Sequence, residues 1–352
     1  MEEQIDAEQD LQQILQHEKA RNLEQIRRDM LQGLAEERAK QDAFEQRLYQ
    51  RWKKALDLFE TVLILGRQVG AEYNQQVRPY AATKRDLVFE VLARNHARAC
   101  QLTSAILALL KSGNAEDALA RARTLHELHV IARFISARGN KVAEQYLLYG
   151  TVQSLKAAKE YAEHQVQLGL EPLDPEAIPT LEKRVEQYRT KFSEEFGKVV
   201  HRGHCGWAAE ALNKRHPPFE DLEEAVGLAF MRPYYQMASY PIHSNAHGLS
   251  FDLGGIGDKN VLPAGPSNAG LADPGSMALT SFLGCTVLLL LCPQYADEPD
   301  LRVLLVKVLV ARDALQEFVD EARQAFLASH QQLVKEELLI QAAEKKQQSS
   351  KG

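Results

Sequence analysis

Little in this chain reads as a ready-made reactive centre. Its 352 residues contain no GxxxxGK[ST], GxSxG, HExxH or dinucleotide fingerprint, so ATPase, serine hydrolase, zincin and dehydrogenase readings lack the spacing their chemistry requires. Cysteine is scarce. Cys100, Cys205, Cys285 and Cys292 form no CxxC pair and sit in apolar or helical sequence, where a thiol behaves as a small hydrophobe, so a disulfide framework is excluded and a reducing cytoplasm is expected. The first residues, with Glu2, Glu3, Asp6, Glu8 and Asp10, lack the basic start and apolar run of a secretion signal. A formal charge of −6 argues against a broad basic surface and non-specific DNA binding, while leaving room for a local positive pocket and hence for RNA.

Long apolar runs are also few. Met277 to Ala296 carries no charged side chain, but Thr280, Ser281, Gly284, Thr286, Pro293 and Gln294 dilute it. A membrane span needs about 20 predominantly apolar residues, so the segment is expected to be a buried core helix, with a membrane-associated protein as the lesser alternative. No alternating strand pattern occurs, and the fold class is therefore all-α: a multi-helix bundle with a long N-terminal arm and a long Gly/Pro-rich loop.

Residues 7–72 contain no proline and only Gly33, Gly66 and Gly70, and are rich in Gln, Glu, Arg, Leu and Ala, the composition of a long helix. Leu11, Leu15, Leu23, Ile26, Met30 and Leu34 recur at helical spacing, while Glu37 and Lys40 break a strict heptad. An amphipathic arm over residues 1–75 is expected, ending at Arg78-Pro79 and offering a stripe for a second copy or a protein partner. A core domain over 76–345 follows. Helices are predicted at 83–111, stopped by Ser112-Gly113; at 115–138, capped by Asn114 and stopped by Gly139; at 142–168; and at 179–195, 207–215, 219–231 and 234–245. The glycines and prolines of 248–276 mark a long loop. Helices at 277–292 and 298–343 precede a tail, 346–352, expected to be disordered.

Two stretches gather the proton-exchanging and anion-binding groups: Arg123-Thr-Leu-His126-Glu127, and the run from Tyr235 through Ser239 and His243 to Asn245 and His247. On a helix Arg123, His126, Glu127 and Val130 share a face, with His129 turned elsewhere. Tyr235, Ser239 and His243 recur at helical spacing, although Pro241 is expected to bend that helix. If the stretches meet, Arg123, Glu127, Tyr235, Ser239 and His243 form one polar pocket. Such a pocket is either a structural network fixing helix register or a reactive site, with Arg123 clamping an anion and His243 as general base. His201, His204 and Cys205, with His216 beyond, provide no second ligand pair for zinc, so no metal and no cofactor are expected.

In order, Ala-Arg121-Ala-Arg123-Thr-Leu-His126-Glu127, then Tyr146-Leu-Leu-Tyr149 with Lys156, then Gly206-Trp207, then Tyr235 to Ser239 and His243 resemble the bacterial domain of unknown function 5677 family. The resemblance covers about Phe89 to Leu291 and implies a helical fold without naming an activity. A looser likeness is to HEPN-type helical ribonucleases, which set an Arg and a His beside a phosphate. In this chain Arg232 lies too far from His243 for their compact Arg-x(4–6)-His pattern, and Arg123 would have to serve from another helix. An interaction or effector module is the leading expectation, and a metal-independent ribonuclease the alternative.

Overall fold

The computed structural model describes residues 2–201, 203–243, 248, 251, 253, 265–292, 295, 298 and 301–349. Among these there is no strand, and twelve α-helices make up the fold: α1 Glu2–Lys84, α2 Leu87–Lys111, α3 Ala115–Arg138, α4 Asn140–His164, α5 Ala177–Arg189, α6 Glu194–Gly197, α7 Ala209–Leu212, α8 Phe219–Ala225, α9 Arg232–Met237, α10 Tyr240–His243, α11 Ala272–Leu290 and α12 Arg302–Ser349. The chain divides into two compact units, residues 1–51 and 52–352.

The first unit is helix with little tertiary cover. Ile14, Leu15, Leu23, Ile26, Met30, Leu31 and Leu34 are all exposed. Local side-chain pairs support it, among them Gln25 to Asp29 at 2.8 Å, Gln32 to Glu36 at 3.1 Å and Lys40 to Glu37 at 2.5 Å. Each contributes only a few tenths of a kcal/mol, about 0.2–0.5.

The second unit is built around α11, which packs against α2, α3 and α12. Small residues on α11 let large rings approach. A Cβ at Gly284 would overlap the His129 ring, and one at Gly275 would sit 2.6 Å from Phe326, distances at which something must move. The segment expected to be a buried core helix is one: most of α11 is buried, although it is also long and apolar enough to cross a membrane. It begins at Ala272, with Pro274 and Gly275 in its first turn, because a proline near a helix start removes no intrahelical bond. Trp52, Phe59 and Phe326 close one side of this core, with Trp52 5.9 Å from Phe326 and its indole N–H donating to the Asn268 carbonyl at 2.9 Å.

Pro79 does not end α1, contrary to expectation. The helix absorbs the one missing N–H and runs to Lys84, stopping where Arg85 turns left-handed at φ 51° and the Asp86 amide reaches back to the Ala81 carbonyl at 2.9 Å. Asp86 then caps α2 by accepting from the Phe89 amide at 3.1 Å, and Asn140 accepts from the Leu87 and Val88 amides at 3.0 and 3.1 Å. Gly113 and Gly139, at φ 78° and 81°, end α2 and α3 where expected. The Asn114 side chain binds Ser112 instead of capping α3.

Helices α4 and α5 pack together, and Trp207, in a 3-10 turn over Gly206–Ala208, wedges between Phe134 at 5.7 Å and Tyr146 at 4.9 Å. The helix expected over 234–245 is broken into α9 and α10 at Ala238–Ser239, since Pro241 cannot donate back into an unbroken helix. Of the Gly/Pro-rich loop expected over 248–276, residues 249, 250, 252 and 254–264 lie outside the described residues, and 272–276 are not loop but the start of α11. The last helix runs to Ser349, into the stretch expected to fray, and 350–352 lie outside the described residues.

Candidate functional site

Four of the five candidate residues meet. Arg123 and Glu127 stand one turn apart on α3, so the guanidinium reaches the carboxylate along its own helix, with Nε donating to Glu127 Oε1 at 3.2 Å. Nη1 donates to Ser239 Oγ at 2.9 Å and Nη2 to the Tyr235 hydroxyl at 2.8 Å. The phenol in turn donates to Glu127 Oε1 at 2.9 Å, and the Ser239 hydroxyl donates to the Tyr235 carbonyl at 2.8 Å. Every bond joins α3 to the α9 segment or closes a turn within one of them. Glu127 and Arg123 neutralise each other, as a half-buried pair must. The fifth residue, His243, ends α10; its side chain, and the expected contributions of Asn245 and His247, lie outside the described residues.

Burial, reinforced by the Glu127 charge, pushes the Tyr235 phenol up to about 12, so the hydroxyl keeps its proton at neutral pH and acts as a fixed donor to the carboxylate. The Arg123 guanidinium also lies over the Tyr235 ring, 4.3 Å from its centroid, and Arg232 lies 5.0 Å from the same centroid. Two cations over one aromatic ring are attracted by its quadrupole, and the acids beside them offset their mutual repulsion.

Glu223 supplies that second acid, and sequence reasoning missed it. Its side chain is fully buried, receives Arg232 Nη1 at 2.7 Å, and faces His126 Nε2 at 2.9 Å. His126 is as deeply buried, and its Nδ1 has no hydrogen-bond partner among the described residues. The rings pack around this pair, with Phe219 stacked on Tyr235 at 5.3 Å and His126 edge-on to both, 6.3 and 6.2 Å away. A signal did exist in the sequence: Glu223 is four residues after Phe219 and adjacent to Leu222, on the apolar face of a short amphipathic helix, where an unpaired carboxylate costs several kcal/mol. Arg232, set aside for its distance from His243, belongs to the network through Glu223.

His129 behaves differently from its neighbours. It is turned away from Arg123 and fits against Gly284 of α11; burial, with His126 and Arg133 nearby, lowers its pKa to about 3. It is a neutral core ring. Among the described residues no group of three or more His, Cys, Asp or Glu could hold a metal ion.

Comparison with known proteins adds a family and nothing finer. Neither a curated protein nor a solved structure matches the chain. A model for a family of unknown function, DUF5677, matches residues 89–260, a segment that contains α3, α8 and α9 and with them every described side chain of the cluster. Over that segment the chain matches the DUF5677 family, the one its sequence motifs resemble.

Proposed function

We propose that this protein is an interaction module that associates with a second copy of itself through the N-terminal arm, while the Arg123 cluster clasps the α8–α10 segment onto α3. One observation carries the reading: Leu15, Leu23, Ile26, Met30 and Leu34 lie along one side of a single helix and are exposed by 42–60%. Isolated helices are marginal in water, and most helical stability comes from covering an apolar face. Each of these side chains gains up to about 1.5–3 kcal/mol on full burial. The same stripe on an identical helix is self-complementary, and the part of the arm that carries it, residues 11–51, has eight Lys and Arg against seven Asp and Glu, while the five acids of residues 1–10 bring the balance of 1–51 to −4.

The ribonuclease alternative asks Arg123 to offer its guanidinium to a phosphate. Three of its N–H groups are already engaged by Glu127, Ser239 and Tyr235, which favours a clasp over a substrate-ready cation.

In the full-length chain, Ile26→Glu with Met30→Glu should convert an oligomer to a monomer by light scattering, with the thermal midpoint of the body unchanged. Equal masses for the parent and variant would defeat self-association. A parent that is monomeric alone and enlarged only with another protein would identify a different partner.

A further inference from the structure

A second candidate site lies away from the Arg123 cluster, in a groove of about 710 Å³ lined by α4, α5, His201, Gly203 and His204. Its size falls within the range of about 300–1,000 Å³ typical of small-molecule sites. The lining has two chemical characters. Val152, Leu155 and Val185 provide an apolar floor, and Lys156, Lys159 and Arg189 provide cations, with Glu160 the one carboxylate among the lining residues. The lining residues themselves are three cations to one carboxylate beside an apolar surface, with Glu182 and Glu186 as the outer partners of Lys159 and Arg189.

The geometry points to a binding site for an amphiphilic anion, a phosphate or carboxylate head on an alkyl body, the head held by Lys156, Lys159 and Arg189 and the body lying on Val152, Leu155 and Val185. The present partners of the cations are replaceable. Lys159 meets Glu182 at 2.7 Å, Lys156 stands 3.8 Å from Glu160, and Arg189 Nη1 meets Glu186 at 3.0 Å, all with carboxylates at least 51% exposed. Exposed pairs of this kind are worth about 0–1 kcal/mol, so an incoming anion displaces them at little cost.

The frame of the groove is fixed where the rim is not. Arg189 Nε donates to the Gly197 carbonyl at 2.9 Å, which aims the guanidinium, and the buried Tyr149 hydroxyl donates to the Gly203 carbonyl, which ties Gly203 to α4. A walled groove with exchangeable charges suits a ligand that needs both a countercharge and an apolar surface. An inorganic anion would use only the rim, and a neutral alcohol only the floor.

The test is calorimetric titration of the full-length protein with octyl phosphate below its micelle concentration, with inorganic phosphate and octanol as controls. The groove reading expects saturable one-site binding of octyl phosphate, at least tenfold tighter than either control. Lys156→Glu, a change at an exposed position, should weaken it about tenfold without altering the thermal midpoint, and Val185→Asp should weaken it similarly. Equal affinity of parent and both variants, or octanol binding as tightly as octyl phosphate, would overturn the site. Phosphatidylcholine vesicles with and without one-fifth phosphatidic acid distinguish the sources: capture by the acidic vesicles that is lost in Lys156→Glu means a lipid headgroup, and absence of capture with octyl phosphate still binding means a free metabolite-sized anion. Vesicle capture unaffected by Lys156→Glu would count against the groove.

Discussion

Gly33 and Gly284 are both helical glycines, yet they are opposites. Around Gly33 an added Cβ meets nothing within 4 Å, whereas at Gly284 it would enter the His129 ring. The first belongs to the arm, where helix is held by local pairs and leaves its apolar residues open; the second belongs to the body, where helix exists because other helices cover it. Secondary structure is the same in both units and its origin is not. In the arm, propensity and short-range pairs set the conformation, and in the body, packing does.

The sharpest way to separate the two is acid. Burial lowers the pKa of His129 to about 3 and that of His96 to about 4, the latter against a small opposing effect of the Gly66 backbone. Both are near 6.5 in an unfolded chain. Below 6.5 the unfolded state therefore binds more protons than the folded one, so stability is fully present above 6.5 and falls as pH drops towards the folded values. Urea unfolding of the body should lose on the order of 4 kcal/mol between pH 6.5 and 4.5, while the arm, which has only the exposed His17, keeps its helical signal. A body equally stable at both values would mean that these rings are not buried as neutral groups.

Gly284→Ala comes next. Overpacking a tight core costs typically 1–3 kcal/mol, and with both contacting elements rigid the expected loss is about 2–3 kcal/mol, read as a lower thermal midpoint of the body. The smallest effect has the opposite sign. Gly33→Ala should raise arm helicity by circular dichroism, worth up to about 1 kcal/mol, and leave the body's midpoint where it was. If the two substitutions moved the same transition in the same direction, the contrast between the units would fail.

Much of the helical architecture could be read in advance because its signals are local. Gly113 and Gly139 end helices wherever they occur in such a pattern, since each supplies the left-handed residue that stops one. Pro79 misled because a single proline removes one donor, a loss that the buried face of α1, with Val77 and Ala81 in the core, outweighs. At the site, Arg123 and Glu127 were legible as an i, i+4 pair, and Tyr235 and Ser239 as groups on one side of a second helix. Their partnership, and the role of Glu223 opposite His126, were not, because those contacts join residues about a hundred positions apart and depend on how α8 and α9 lie against α3. Periodicity specifies a face without specifying what meets it.

Trp52 and Trp207 are the chain's two tryptophans, and both are buried at opposite ends of the sequence logic: one against Phe326 of α12, the other between Phe134 and Tyr146. Nature has thereby installed two separate fluorophores in two separate aromatic clusters. Replacing either with phenylalanine leaves a single tryptophan, so with excitation beyond the absorption of the tyrosines the order in which the two clusters come apart during refolding or melting can be timed optically, with no label attached.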